Sequence, residues 1–528
     1  MNQYKLSLVI TLFLLCLSLD ARAQFAGGSG SASDPYQIET LEHLNEINNH
    51  AQGMHFIQIA NIHANDKPFI PIGNEESRFT GHYDGDGHAI SNLRLGHWID
   101  FDFESDIVDN NYTGLFGFTE NATIKNITLD SLRISLSDPA QYVGGMVGFS
   151  GDNTIIKNVH VAGRIESVRN HLSLLTEFGG IAGSNHGIIE NATFDGSIRS
   201  DGNHIGGLSG SNYGTISESS ARVFIKAWWA GGGLVGGNHG TIRTSFVQNN
   251  SQIEGIEGST GGLAGYNDGE IMDSYSHADV SVAEGTGGGL TGHNRGSVLR
   301  AYTTGMVSGS NYFGTGGLVG SNSGLIEQVY AIGPVNASGP SDGDLVKTGG
   351  LVGVNDTDGV VQYGYWNTET TGIQHAVGED ENPGILQEGL TTDQMTGFYA
   401  LNNMPGFDHS WMATNAYPIL YEVIDDFSNP GGKGSNQQIT LHQNYPNPFN
   451  PVTIINYELE EDSYVLLEIF DILGRNIAVL ADQSVSAGTH EAIFDASNLT
   501  SGIYIYRLRV RNSEGIPATL TRSMMLIM

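Results

Sequence analysis

Hydrophobic positions fall into columns with a period near 27 residues. A unit of two glycines, an apolar residue, a small residue, glycine, x, asparagine, x, glycine begins at Gly144, Gly179, Gly206, Gly232, Gly261, Gly288, Gly316 and Gly349. A weaker copy begins at Thr113, and Phe79–Ile90 reads as a divergent first coil. Two places after the first glycine stand Met146, Ile181, Leu208, Leu234, Leu263, Leu290, Leu318 and Leu351. Ten places after stand Ile189, Ile216, Ile242, Ile271, Val298 and Ile326, with Val361 after a two-residue insertion. Fourteen places after come Phe246, Tyr275, Tyr302 and Tyr330. One unit of this length cannot enclose a core, whereas stacked units lay like side chains on like side chains. The runs between turns are short, β-branched and punctuated by glycine, so they predict strands. The expected fold is all-β: a parallel β-solenoid, or β-helix, of about nine to ten coils, roughly 45 Å long at one strand spacing per coil.

Within the unit, the fifth and ninth positions (Gly236 and Gly240, for example) suit turns that need positive φ or close backbone approach. The asparagine column Asn185, Asn212, Asn238, Asn267, Asn294 and Asn322 suits a turn whose amide bonds to the next coil. Open strand edges at the ends need covering. Leu41–Asn49 has helical apolar spacing after Thr40 and is expected to cap the first coil. Thr391 with Gln394 forms a capping-box pattern, and residues 365–427, with Trp366, Trp411 and Tyr417, are expected to close the other end.

The ends of the chain differ from the repeat. Lys5, the apolar run Leu6–Leu19 and the small-x-small site Ala21-Arg22-Ala23 before Gln24 read as a secretory signal peptide, residues 1–23. No later segment is long and apolar enough for a membrane span. Cys16 is the only cysteine and lies in that peptide, so disulfides, thiol nucleophiles and cysteine metal sites are excluded from the expected mature chain. The organisation expected after it is 24–78 for an N-terminal opening segment and cap, then 79–364 for the solenoid and 365–427 for its C-terminal cap. A Gly-rich linker, 428–439, leads to a small Ig-like antiparallel β-sandwich, 440–528. In that module Tyr504, Tyr506, Leu508 and Val510 alternate with Ile505, Arg507 and Arg509.

Composition narrows the partners. Glycine supplies 72 of 528 residues, about twice the usual share, without a collagen period. The formal charge of −34 argues against nucleic acid or an anionic membrane as partner.

The repeated unit resembles the GLUG motif of bacterial surface and secreted proteins. Gly27-Gly28-Ser29-Gly30 with Asp34-Pro35-Tyr36, and Tyr365-Trp366-Asn367 with Gly389-Leu390-Thr391, are similar to segments that flank such repeats. The resemblance implies a solenoid and an extracellular address, and no single activity. Asn444-Tyr445-Pro446-Asn447-Pro448-Phe449, Asp471-Ile-Leu-Gly474-Arg475 and Gly502-Ile503-Tyr504 resemble the C-terminal sorting domain of the type IX secretion system. That resemblance implies a Gram-negative bacterium, partnership with the type IX machinery, export after a Sec step, and attachment at the outer surface. The chain end, Thr521–Met528, lacks the lysine often found there.

Chemical motifs are sparse. Gly231-Gly-Gly233-Leu-Val-Gly236 lacks the following helix a dinucleotide site needs, and no His-Glu-x-x-His occurs. The acidic insertion Asp100, Asp102, Glu104 could supply a glycosidase carboxylate pair or bind calcium; as a solvated loop it would do neither. Asp84 and Asp86 are weak calcium candidates that read better as a turn. Strand alternation at Trp228-Trp229 would send one ring inward and leave the other to stack on sugars. The residues after the asparagines, His186, Tyr213 and His239 followed by Asp268, Arg295 and Ser323, form an exposed column able to contact a partner. The reading is an adhesin-like scaffold for extended ligands such as glycans, without cofactor; the alternative is a glycan-active hydrolase or lyase using the 100–106 carboxylates.

Overall fold

The computed structural model describes residues 25–50, 52–65, 67, 69–96, 111–136, 141–167, 176–310, 313–338, 347–397, 400–407, 410–412, 416–420, 439–471, 476–512 and 517–527. The signal peptide with Ala23 and Gln24, the acidic Asp100, Asp102 and Glu104, most of the linker, and Gly474 and Arg475 lie outside them. The chain forms two compact units, 1–423 and 424–528.

The first unit is a parallel β-solenoid. Each coil visits a nine-stranded sheet, a ten-stranded sheet and a long 22-stranded sheet, as counted among the described residues. One coil runs Ala230–Gly232, Val235–Asn238, Thr241–Arg243, Phe246–Val247 and Gln252–Gly255. Successive coils pair in parallel with like residues opposite: Ile216 on Ile242, Ile242 on Ile271, Ile271 on Val298. The leucine and isoleucine columns point inward and are fully buried. They join one continuous core running from Phe25 to Val377.

The first glycine of the unit is required by contact. A Cβ on Gly232 would lie 2.0 Å from the carbonyl oxygen of Val235, and one on Gly261 would lie 2.0 Å from that of Ala264. The corner between the two shorter sheets is too tight for any side chain there. Gly236 and Gly240 answer to close approach as well, to Ile205 N at 2.4 Å and Gly214 O at 2.1 Å. Neither takes a left-handed φ, so that half of the expectation is corrected.

Left-handed backbone is instead carried by non-glycine residues at the bend of the long sheet. Asn126, Asn158, Asn191, Glu218, Thr244, Asp273, Arg300, Gln328, Tyr363 and Leu386 all have φ between 47° and 55°. Asparagine tolerates this region best. Asn191 donates to Asn158 and Asn158 to Asn126, each at 2.9 Å, which ties the first bends together. Further on, Arg300 pairs with Asp273 at 2.5 Å.

After the bend the side-chain alternation resets. Val329 and Ala331 face the core, and Tyr330 between them faces outward. Phe246, Tyr275, Tyr302 and Tyr330 therefore stack outside the coil, with centroids 4.8, 4.7 and 4.9 Å apart. The C-terminal cap covers this ladder: Trp411 lies 5.6 Å from Tyr330 and 6.2 Å from Tyr302, and Tyr330 donates to Pro418 O. Trp411 and Tyr417 thus cover the flank of the coils, where the sequence suggested an end plug; Trp366 does join the core at the end.

At the other end the helix Leu41–Glu46 starts at Thr40, whose hydroxyl accepts from His43 N, and buries Leu41 and Leu44. The helix Thr392–Met395 carries the Thr391–Gln394 capping box.

The second unit packs a three-stranded antiparallel sheet with a four-stranded one. Val465, Leu467, Ile469, Tyr506 and Leu508 are buried between them. Arg507 and Arg509, on the alternate face, approach Glu468 at 3.4 and 3.7 Å. The peptides before Pro446 and Pro448 are cis, and Asn447 Oδ1 accepts from Met525 N. Tyr506 Oη donates to His442 O and accepts from Asn444 N, which fixes the start of the module.

Candidate functional site

Three side-chain columns of the shorter sheets stand next to one another on the outer surface of the solenoid. The nine-stranded sheet supplies Tyr112, Tyr142, Glu177 and His204 in register. The ten-stranded sheet supplies Phe118, Phe149, Ser184 and Ser211, and two coils after Ser211 comes Tyr266. The turn after each ladder asparagine supplies His186, Tyr213 and His239.

These rings form one band. Phe149, His186, Tyr213 and His239 stack at 4.8, 4.6 and 4.6 Å. Tyr112, Phe118 and Tyr142 continue it at one end, where Arg78 lies 4.6 Å over Phe118. Tyr266 meets His239 and His204 edge-on at the other end. The band ends where the column turns ionic: Asp268 pairs with Arg295 at 2.8 Å and with His239 at 3.3 Å.

Under the rings runs a hydrogen-bond chain. Ser211 Oγ lies 2.8 Å from His204 Nδ1, His204 Nε2 lies 3.2 Å from the Tyr266 hydroxyl, and that hydroxyl lies 2.9 Å from His239 Nε2. Burial, aided by the neighbouring His239, pushes His204 down to about 4. Burial also lowers His186 and His239, the latter against the pull of Asp268. Glu177, next to His204 in its column, is raised by burial, and its Oε2 has neither a hydrogen-bond partner nor solvent. At neutral pH the three lowered imidazoles His186, His204 and His239 are uncharged, and Tyr213 in the same band is exposed.

The sequence column of His186, Tyr213 and His239 is therefore brought together. Glu177, His204, Tyr142, Phe149 and Tyr266 were missed. Their signal was the same period read two places before the glycine pair and one place before the ladder position, which is Ser150 after Phe149 and Asn267 after Tyr266.

Trp228 and Trp229 occupy a bend between strands, so alternation does not apply to them. Trp228 is half-buried outside the core and Trp229 is 52% exposed, which corrects the expectation that one ring enters the core. Asp84 spends both oxygens on protein donors: Oδ1 accepts from Asp86 N and Asn126 Nδ2, and Oδ2 pairs with Lys125 at 2.9 Å. Asp86 is exposed. Among the described residues no group of three or more metal-binding side chains occurs, and no helix is long and apolar enough to cross a membrane.

Fold and surface define a repeat solenoid joined to a β-sandwich module. Residues 443–517 match the secretion system C-terminal sorting domain. The chain is exported and attached at the cell surface. Pro446, Asn447, Pro448, Gly502 and Tyr504 of the sequence motif lie within the match.

Two curated relatives share part of the chain. A Gly-rich membrane protein, provisionally so named, of Evansella cellulosilytica is 33% identical over 145 residues, 26% of this chain and 15% of that protein. Halomucin of Haloquadratum walsbyi is 32% identical over 154 residues, 26% of this chain and 2% of that protein. The match thus spans a small part of either relative's length. Among solved structures, a provisionally named immunoglobulin A1 protease from Bacteroides ovatus aligns with 76% of this chain and 96% of its own, at 15% identity and a TM-score of 0.37.

Proposed function

We propose that the exported solenoid is an adhesin-like binding scaffold for an extended, uncharged or cationic polymer such as a glycan, gripped along the aromatic band and without turnover. The observation that carries this reading is the continuous ring ladder from Phe149 to His239, which spans four coils and leaves Tyr213 exposed. The ring faces cover one another, so the band offers edges. Hydroxyl and imidazole groups recur once per coil, about 4.8 Å apart. A regular array of this kind suits a repeating partner. The charge of −34 disfavours polyanions. The likeness of the repeat to the GLUG motif of bacterial surface proteins supports the same role.

A glycan array with the full mature chain tests it, read against Tyr213→Ala and His239→Ala. Both substitutions should weaken binding with the fold intact by circular dichroism; unchanged binding in both overturns the reading. A reducing-sugar release assay on bound glycans should stay at background. Release abolished by Asp102→Asn would favour the enzyme reading instead.

A further inference from the structure

A second surface lies on the long sheet. Lys226, Glu254, Ser281, Ser308 and Asn336 stand in register on five successive coils. They line a cleft of about 570 Å³ whose other walls include Ile256, Val282 and Ala283. A volume of that size suits a small ligand. Lys226 Nζ and Glu254 Oε2 are 3.9 Å apart and each side chain is about 40% exposed, so both heads remain available.

The chemistry of the column selects the ligand. An ammonium, a carboxylate, two hydroxyls and an amide alternate donors with acceptors. Lysine and glutamate cancel, which leaves no net charge to hold a phosphate or a uronate. The apolar walls are too small for a lipid chain. A polyol carries donors and acceptors all along its length, and one coil spacing of about 4.8 Å is close to the length of one sugar ring in an extended chain.

The tryptophan pair lies just beyond the residues that line the cleft, two and three places after Lys226 in the chain. Ile256 N bonds to Ala227 O and Glu257 N to Trp228 O, so the Trp228-Trp229 bend is the same corner one coil before Ile256. Trp229, unlike the rings of the band, is not part of a stacked ladder, and it is 52% exposed. Aromatic rings present an apolar body together with a polar tip.

We propose that this cleft is a second binding site, for a short uncharged oligosaccharide laid along the column from the Trp228-Trp229 corner to Asn336. It shares no residue with the aromatic band.

The test is titration of the full mature chain with cello-, manno- and chito-oligosaccharides of four to six units and with an oligogalacturonate, followed by calorimetry and tryptophan fluorescence. At least one uncharged oligosaccharide should bind and shift the fluorescence, and the oligogalacturonate should not. Glu254→Ala with Asn336→Ala should weaken binding by about tenfold or more, as expected for two lost hydrogen bonds. Trp229→Phe should remove the fluorescence shift, and Tyr213→Ala should change neither signal. No binding by any uncharged oligosaccharide, equal binding of the oligogalacturonate, or full binding in the Glu254/Asn336 double variant overturns the proposal. Loss through Tyr213→Ala would place the saccharide on the band and overturn it too. Circular dichroism and thermal midpoints confirm that these surface variants fold.

Discussion

Asn212 donates its side-chain N–H to Oδ1 of Asn238 at 2.8 Å, from one coil to the next. Asn238 does the same to Asn267, Asn267 to Asn294, Asn294 to Asn322 and Asn322 to Asn355. The run ends on Asp380, which accepts from Asn355 at 2.9 Å. All six asparagines are fully buried, so the ladder is internal and unavailable to a ligand.

Replacing Asn238 with alanine leaves the buried Oδ1 of Asn267 without its side-chain donor, whereas the Asn212 amide loses its shortest acceptor and keeps Gly214 O and Thr241 O. An orphaned buried group costs about 1–3 kcal/mol. A loss of about 1–3 kcal/mol in denaturant unfolding is expected. An outcome below about 0.5 kcal/mol would show that the ladder does not hold the coils together.

Gly232→Ala should be as damaging as a core deletion. Its Cβ would meet the Val235 carbonyl at 2.0 Å and the Gly265 amide at 2.6 Å, both backbone atoms that cannot swing aside. A cost of about 3 kcal/mol or more is expected, comparable with Leu234→Ala. Chemical denaturation of the two variants side by side checks this, and a near-neutral Gly232→Ala would refute the tight corner.

Trp411→Ala should uncover the outer aromatic ladder. The ring packs on Tyr302, Tyr330 and Phe407, and large-to-small changes at such sites cost about 3–5 kcal/mol. Faster amide exchange around Tyr302–Tyr330, with the coils before Phe246 unchanged, is the expected pattern. Uniform exchange would mean that the cover is ornamental.

The aromatic band makes stability fall in acid. His204 titrates near 4 in the folded chain because burial and His239 disfavour its charge, against about 6.5 when unfolded. Its contribution is therefore complete above about pH 6.5 and is lost as pH falls towards 4, by up to about 3 kcal/mol. Glu177 acts in the opposite sense: its raised value adds stability as pH falls and gives it back as pH rises past that value. His204→Gln should flatten the acid limb of a stability–pH curve, and NMR titration of the imidazole reads the value directly.

Removing residues 428–528 should leave a folded solenoid inside the cell envelope. The division at 423/424 separates two cores, and the sorting match lies wholly in the second. Fractionation should find the truncated chain in the periplasm and the full chain at the surface. Surface display of the truncated chain would contradict the sorting role.

The solenoid was readable because one physical demand, like on like, is repeated in every coil and writes itself into the sequence at a fixed period. Ile216, Ile242 and Ile271 needed only counting. The left-handed bend was harder to read because its occupants share no chemistry: Asn191, Glu218, Thr244 and Tyr363 have a backbone angle in common and little else. The outward turn of Tyr330 was hidden for the same reason, since that bend resets the alternation beneath it. Of the candidate site, His186, Tyr213 and His239 were legible as a column. Glu177, His204 and Tyr266 belong to neighbouring strands, and only the crossing of two sheets puts them against it.

The constancy of register has an evolutionary corollary. A tandem duplication of the segment from Gly232 to Thr260 would insert a whole turn of the winding, with every pairing above and below re-formed. Such a molecule can lengthen or shorten by gene slippage while its two termini, and whatever they fasten to, stay as they were.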